Sequence, residues 1–223
     1  MMLFASIRPC FVVKKAAAAA AGASSNAHAH VSGAAASSAS SRGASLRRFI
    51  SVGMDLTASP SSWQKSRPWH MTDAEGSNLA ADNAVTMSNI FENKKVAVFG
   101  VPAPFTGTCT NAHVPGYTAM VDEFKSRGVD EIICYSVTDP YAHWNWAKSM
   151  NVDVDNSNKQ ITFMADVDGT WAKEYDLDRD YTAASLGIRS SRFSMMVEDG
   201  VVKSFNADIE DAEGDAKVLL GQV

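Results

Sequence analysis

The chain has 223 residues, with 20 basic and 25 acidic side chains. Six of the basic residues and none of the acidic ones lie in residues 1–48, so the remainder holds 14 basic and 25 acidic residues and a net charge of −11. This acidic body argues against a nucleic-acid partner, which needs a basic surface, and no apolar run reaches the ~20 residues of a membrane span.

Residues 1–48 have the composition of an organelle-targeting segment. They are basic and rich in Ala and Ser, which is typical of a mitochondrial or plastid transit peptide and does not build a packed core. Residues 47–51 are similar to a mitochondrial processing site and predict cleavage near Phe49, whereas the Ser-rich residues 37–41 leave a plastid peptide open. We therefore predict a transit peptide over 1–49 and a mitochondrial protein, or a cytoplasmic one if the presequence is not used.

Three cysteines are too few for the disulfide framework of a secreted domain, and Cys10 lies in the predicted transit peptide. The other two, Cys109 and Cys134, fit a reducing compartment in which thiols carry out chemistry. Neither a Cys-x-x-Cys pair nor a His/Cys cluster with zinc spacing occurs in the sequence. We therefore predict no metal site.

Residues 50–66 are polar and contain a loop signal at 59–62, so we predict a connector there and one domain over 67–223. Within that domain, short apolar runs predict strands, and apolar residues spaced by three or four predict helices. The predicted elements are a short helix or turn over 86–91, strands over 96–100, 131–137 and 161–165, helices over 141–150, 169–175 and 212–220, and a hairpin of 192–198 with 201–205. This order predicts an α/β domain with a mixed sheet covered on both faces.

Cys109 lies between a predicted strand and a predicted helix. The apolar run 96–100 precedes it, and a helical apolar face follows at Val114, Tyr117, Met120, Val121 and Phe124. A cysteine at the start of a helix lies close to free backbone N–H groups and to the positive end of the helix dipole. Because that setting favours the nucleophilic thiolate, we predict a reactive cysteine.

The residues around Cys109 also form a motif. The spacing Pro102-x-x-x-Thr106-x-x-Cys109 resembles the active-site motif of the peroxiredoxins. The longer match over residues 99–117 is similar to the type II, or atypical two-cysteine, branch of that family, and the similarity extends to residues 192–200. The resemblance implies a single domain with a thioredoxin-like fold.

The resemblance implies roles for four residues. Cys109 would attack a peroxide oxygen as a thiolate and become a sulfenic acid. The Thr106 hydroxyl would bind both the sulfur and the peroxide, and Pro102 would form one wall of the pocket. Arg192 matches the family's arginine, whose guanidinium favours the thiolate and stabilises charge that develops on the peroxide. Arg189 lies three residues earlier, but the alternating strand pattern that directly follows Arg192 favours Arg192.

Cys134 has two open interpretations. It lies 25 residues after Cys109, the spacing that resembles the second cysteine of plant-like type II members, which closes an intramolecular disulfide. It also lies within a predicted buried strand, where a free cysteine packs as a small hydrophobic residue. A disulfide between the two would then require local unfolding. For His113, one turn after Cys109, a role in helix packing or at an interface is favoured over that of a base.

The resemblance further implies the partners of the protein. Substrates would be hydrogen peroxide and small alkyl hydroperoxides, electrons would come from glutathione, glutaredoxin or thioredoxin, and the chain would form a homodimer. No cofactor is required, because sulfur itself changes oxidation state. A thiol–disulfide exchanger would need a second cysteine where Ala112 stands. A non-enzymatic peroxide sensor or redox relay that uses Cys109 stays open as the alternative function.

Overall fold

A mixed β-sheet forms the centre of the fold. The computed structural model describes residues 47–69, 78–154 and 161–223. The strands in these ranges are β1 (Ser62–Lys65), β2 (Ala84–Thr86), β3 (Lys95–Gly100), β4 (Glu131–Ser136), β5 (Thr162–Ala165), β6 (Asp178–Asp180), β7 (Ile188–Ser190), β8 (Phe193–Glu198) and β9 (Val201–Asn206). Seven of these described strands form one sheet in the order β2-β1-β5-β4-β3-β8-β9, while β6 pairs with β7. The β3–β4 and β4–β5 pairs are parallel and the other pairs are antiparallel, so the predicted mixed sheet is confirmed.

Short helices connect the strands. Those in the described residues are α1 (Leu79–Asn83), α2 (Met87–Phe91), α3 (Val114–Thr118), α4 (Val121–Ser126), α5 (Pro140–Ser149), α6 (Thr170–Glu174) and α7 (Asp215–Leu220), with a π-helical turn at Cys109–His113 and a 3₁₀ turn at Thr182–Ala184. The start of α5 shows how the sequence sets such boundaries. The Asp139 carboxylate accepts hydrogen bonds from the N–H groups of Tyr141 and Ala142, and Pro140 fits the first helical position because it has no N–H to satisfy.

Two apolar cores lie on opposite faces of the sheet. Alternation along β3 directs Val96 and Val98 into one core and Ala97 and Phe99 into the other. The first core includes Trp63, Tyr135, Trp171, Phe193 and Met195. The second core, on the side of α3, α4, α5 and α7, includes Cys109, Tyr117, Cys134, Trp146 and Leu219. Both cysteines of the domain therefore lie on the same side of the sheet.

The predicted strands and helices are present, with small differences at their ends. The closing helix, predicted over 212–220, begins at Asp215. Its start is delayed because the residues before it form a turn in which the Gly214 N–H donates to Asp211 Oδ1 at 3.0 Å. Strands β1, β2, β6 and β7 were not predicted, because each has only three or four residues and lacks an apolar run.

Residues 50–66, predicted to be a polar connector, instead belong to the folded body. Ile50, Leu56 and Trp63 are buried, and β1 pairs with both β2 and β5. The Leu56 N–H also donates to the Gly200 carbonyl oxygen at 2.9 Å, which ties this segment to the β8–β9 hairpin. Its apolar side chains alternate with polar or small residues over 50–56 and are followed by a polar stretch, so composition alone does not reveal that some of them are buried.

The predicted transit peptide lies almost entirely outside the described residues, which begin at Arg47. Arg47 itself forms ion pairs with Asp176 at 2.6 Å and Asp178 at 3.0 Å. In the part of the chain that the structure describes, none of the helices has the length and apolar character needed to cross a membrane.

Replacing Leu56 by Ala tests whether the 50–66 segment is part of the folded body. Because the side chain is fully buried, the substitution is expected to lower the free energy of unfolding by about 2–5 kcal/mol. Urea denaturation followed by circular dichroism measures the change. The matched control is Val52→Ala in the same segment, where the side chain is 68% exposed. Equal stability of the two variants would contradict the assignment.

Candidate active site

Cys109 lies at the start of the helical segment that follows β3. The loop is anchored where the Val101 N–H donates to the Tyr135 carbonyl oxygen at 2.9 Å. Helical structure begins at Gly107, and the N–H of Thr110 donates to the Thr106 carbonyl oxygen at 2.9 Å. Cys109 is therefore in the first turn, as predicted, and only 1% of it is exposed.

The turn that carries Cys109 is wider than an α-helical turn. Residues Cys109–His113 are π-helical, and the Val114 N–H donates to the carbonyl oxygen of Cys109 itself, five residues earlier. Such wide turns within helices are rare and frequently occur at functional sites. The sequence did not predict this turn, because its residues also fit a continuous α-helix.

Pro102 and Thr106 lie in the loop between β3 and this helix. Pro102 is buried and Thr106 is partly buried. The Thr106 hydroxyl donates to the Ala103 carbonyl oxygen at 2.9 Å. Because that bond uses the hydroxyl hydrogen, the lone pairs of the oxygen are directed elsewhere and can accept a hydrogen bond from a bound molecule.

Phe105, between these two residues, has an unusual backbone. Its φ is +61° and its side chain is 61% exposed. A bulky residue in the left-handed region is strained, and such strain is concentrated at functional sites. The apolar side chain is thus held at the surface of the loop that leads to Cys109.

Arg192 reaches the sulfur from the position directly before strand β8. Gly100, the last residue of β3, pairs with Phe193, the first residue of β8. A side chain at position 100 would collide with the Phe193 ring, so glycine is required for this pairing. The register brings Arg192 to the same edge of the sheet as the cysteine loop, and its Nη2 lies 3.5 Å from Cys109 Sγ.

Arg189, the alternative arginine, has other partners. Its Nε donates to the Leu186 carbonyl oxygen at 2.9 Å, and its Nη1 donates to the Val137 carbonyl oxygen. These bonds connect the loop before β7 to the loop after β4. The structure therefore places Arg192, and not Arg189, in hydrogen-bond contact with the sulfur.

His113 is the second partner of the Arg192 guanidinium. Its Nδ1 lies 2.9 Å from Arg192 Nη1, and its Nε2 lies 3.0 Å from Asp215 Oδ2. The pKa of His113 is lowered, mainly by burial and further by the positive charge of Arg192. The hydrogen bond to Asp215 and the negative charge of Asp215 act in the opposite direction. The packing role predicted from the sequence overlooked this contact with Arg192.

Cys134 is fully buried in β4, opposite Phe99 of β3. Its Sγ lies 3.9 Å from His143 Nε2. Burial raises the pKa of the Cys134 thiol well above its ordinary value, and a negative charge on Cys109 raises it further. Burial also lowers the pKa of His143 to about 3, so this imidazole is neutral at physiological pH and offers the Cys134 sulfur no positive charge. Both Cys109 and Cys134 are free thiols.

Comparison with known proteins identifies the family. Residues 70–220 match the family described as Redoxin. The chain is 41% identical to mitochondrial peroxiredoxin-2F of Arabidopsis thaliana, over 82% of this chain and 88% of that protein. It is 40% identical to mitochondrial peroxiredoxin-2F of rice (Oryza sativa subsp. japonica), over 83% and 92%. This chain belongs to the peroxiredoxin family.

A solved structure extends the comparison to the fold. Reduced Prx3 of Vibrio vulnificus in complex with hydrogen peroxide superimposes with a TM-score of 0.62 at 27% identity, over 78% of this chain and all of that one. The predicted thioredoxin-like α/β fold is thereby confirmed.

Substitution of Arg192 by Lys tests the contact with sulfur. Lysine keeps the charge but lacks the planar fork that contacts both Cys109 and His113. We expect the second-order rate constant for peroxide reduction to fall by about a hundredfold, the effect of losing one preorganised donor. Stopped-flow measurement with hydrogen peroxide gives the rate, and alkylation of Cys109 by iodoacetamide at neutral pH should slow as well.

Arg189→Lys is the matched control for this experiment, because it makes the same exchange three residues away. It should leave the peroxide rate unchanged. If Arg192→Lys reacts as fast as wild type, or if only Arg189→Lys is impaired, the assignment of Arg192 is wrong.

Proposed function

We propose that this peroxiredoxin reduces peroxides at Cys109, with Arg192 and Thr106 as the residues that bind the peroxide. The observation that carries the proposal is the 3.5 Å contact between Arg192 Nη2 and Cys109 Sγ on a sulfur that is almost completely buried. The thiolate attacks the terminal oxygen of the hydroperoxide, a sulfur–oxygen bond forms and the oxygen–oxygen bond breaks. Cys109 becomes a sulfenic acid, and the alkoxide or hydroxide that leaves takes a proton to give an alcohol or water.

Three neighbouring side chains contribute to this step. The guanidinium donates hydrogen bonds both to the sulfur and to the peroxide oxygens as negative charge develops. Thr106 accepts a hydrogen bond from the peroxide O–H, because its own hydrogen is already donated to Ala103. Pro102 forms part of the buried wall of the loop and limits access of solvent to the sulfenic acid.

We propose that an external thiol, such as glutathione, glutaredoxin or thioredoxin, reduces the sulfenic acid. Attack by Cys134 would require β4 to open, because that thiol is fully buried at a central position of the sheet and its pKa is raised by burial. Exposure of Cys109 requires only that the turn at Cys109–His113 unwinds. The smaller opening has the smaller free-energy cost.

We also propose that the protein acts in mitochondria and that residues 1–49 form its transit peptide. The support is the acid-free, basic composition of residues 1–48 and the names of the two relatives, which are mitochondrial peroxiredoxins. A fusion of residues 1–49 to a fluorescent protein should localise to mitochondria. Plastid or cytoplasmic fluorescence would contradict the proposal.

A homodimer is proposed from the surface next to the active site. Phe105 holds an exposed aromatic ring on the active-site loop through a strained backbone, and contact with a second copy would bury that ring. Sedimentation velocity over a range of concentrations should give a dimer for wild type and a monomer for Phe105→Lys. A monomeric wild-type protein would contradict the proposal.

Coupled turnover of the wild-type protein and two variants separates the roles of the two cysteines. With glutathione, glutaredoxin and an NADPH-linked assay, Cys109→Ser is expected to abolish turnover, because no other described thiol has an arginine beside it. Cys134→Ser should keep full turnover with this reductant. The thioredoxin system is assayed in parallel to identify the preferred reductant.

The result with Cys134→Ser decides between the two interpretations of that residue. Loss of turnover with both reducing systems would show that Cys134 closes a disulfide during the cycle. Turnover by Cys109→Ser would overturn the proposed function itself.

A further inference from the structure

Asp215, a buried carboxylate, lies behind the active site on the side of His113 that faces away from the sulfur. Its side chain is only 2% exposed. Three donors from two separate segments converge on it: His113 Nε2 at 3.0 Å and the Tyr117 hydroxyl at 2.6 Å from one helical segment, and the Ser194 hydroxyl at 2.8 Å from β8. A carboxylate can be buried at this depth only because its oxygens accept such hydrogen bonds.

The contacts of His113 fix the position of its proton. A guanidinium only donates hydrogen bonds, so His113 Nδ1 must accept from Arg192 Nη1 at 2.9 Å. The proton of the neutral ring is therefore on Nε2, where it is donated to Asp215. In the other tautomer an N–H on Nδ1 would point at the guanidinium and displace it.

We propose that Asp215 is a positioning residue for peroxide reduction: by holding His113 in the Nε2–H tautomer, it keeps the Arg192 guanidinium in hydrogen-bond contact with Cys109. This inference rests on the role of Arg192 in the proposed function and extends it to a residue from the last helix. The carboxylate itself does not touch the sulfur. It acts through two groups in turn: the imidazole of His113 lies between Asp215 and Arg192, and the guanidinium of Arg192 lies between His113 and Cys109.

The groups that face His113 favour this arrangement. Arg192 is on one side and Asp215 on the other, while Tyr117 and Phe99 pack their rings against the imidazole at centroid distances of 5.6 and 5.0 Å. Burial and the charge of Asp215 raise the pKa of Tyr117 well above its ordinary value, so its hydroxyl remains a donor. The imidazole is therefore enclosed by groups that fix both the orientation of its ring and its tautomer.

The backbone provides an independent observation. A Cβ at Gly116 of α3 would lie 2.9 Å from the carbonyl oxygen of Glu213, so only glycine permits α3 to approach the segment that leads into α7. This close approach sets the distance between Asp215 and the helix that carries His113. A side chain at position 116 would push the two apart without changing any polar group.

The test is a double-mutant cycle that combines Asp215→Asn with Arg192→Ala. Asparagine has the shape of aspartate but lacks its charge, and it can present an N–H to His113 and stabilise the wrong tautomer. In the wild-type background, Asp215→Asn is expected to lower the second-order rate constant with hydrogen peroxide by about 10- to 100-fold, the effect of losing a hydrogen bond to a charged group. In the Arg192→Ala background it should have no further effect, because there is no guanidinium left to position.

The control for charge and location is Glu213→Gln, an exposed acidic residue two positions earlier, which should react like wild type. If Asp215→Asn does not fold, as judged by circular dichroism, Gly116→Ala replaces it in the same cycle and should show the same dependence on Arg192.

The outcomes separate this inference from the proposed function. An equal loss of rate in both backgrounds would show a structural role of Asp215 and overturn the inference, as would full activity of Asp215→Asn. If Arg192→Ala itself is as fast as wild type, the proposed role of Arg192 fails, and the inference fails with it.

Discussion

The contact between the Arg192 guanidinium and the Cys109 sulfur is the interaction on which the proposed chemistry of this protein depends. A sulfur that is 1% exposed is poorly solvated, and a buried thiolate is costly unless a cation or hydrogen-bond donors compensate it. The Arg192 guanidinium lies 3.5 Å from the sulfur and provides both a positive charge and a hydrogen-bond donor. Its position depends on the register of β3 with β8, in which Gly100 pairs with Phe193, so a backbone pairing at the sheet edge determines where the charge is placed.

The same principle explains why two thiols on one side of the sheet differ. Cys109 and Cys134 belong to the same apolar core, yet they have different polar neighbours. Cys109 has a guanidinium beside it, whereas Cys134 has the neutral imidazole of His143 at 3.9 Å, and its pKa is raised by burial. Both cysteines are buried, so we attribute the expected difference in reactivity to the guanidinium that lies beside Cys109.

The sequence predicted the mixed sheet and the position of Cys109 between a strand and a helix, because both depend on local patterns of apolar residues. Contacts between distant segments were not predictable in the same way. Asp215 lies in a predicted helix, on the same buried face as Ala216 and Leu219. An acidic residue on that apolar face was the available sequence signal for a buried polar contact. Asp166 is a second buried acidic residue, and its carboxylate accepts hydrogen bonds from Tyr135 and from two N–H groups of α6.

Oxidation of the two thiols in one molecule tests the central claim most directly. The wild-type protein is exposed for a short time to one equivalent of hydrogen peroxide, sulfenic acids are trapped with dimedone, and each cysteine is quantified by mass spectrometry. If surroundings determine reactivity, Cys109 is modified and Cys134 is not. Similar modification of both thiols, or a Cys109 that stays reduced, would contradict the account.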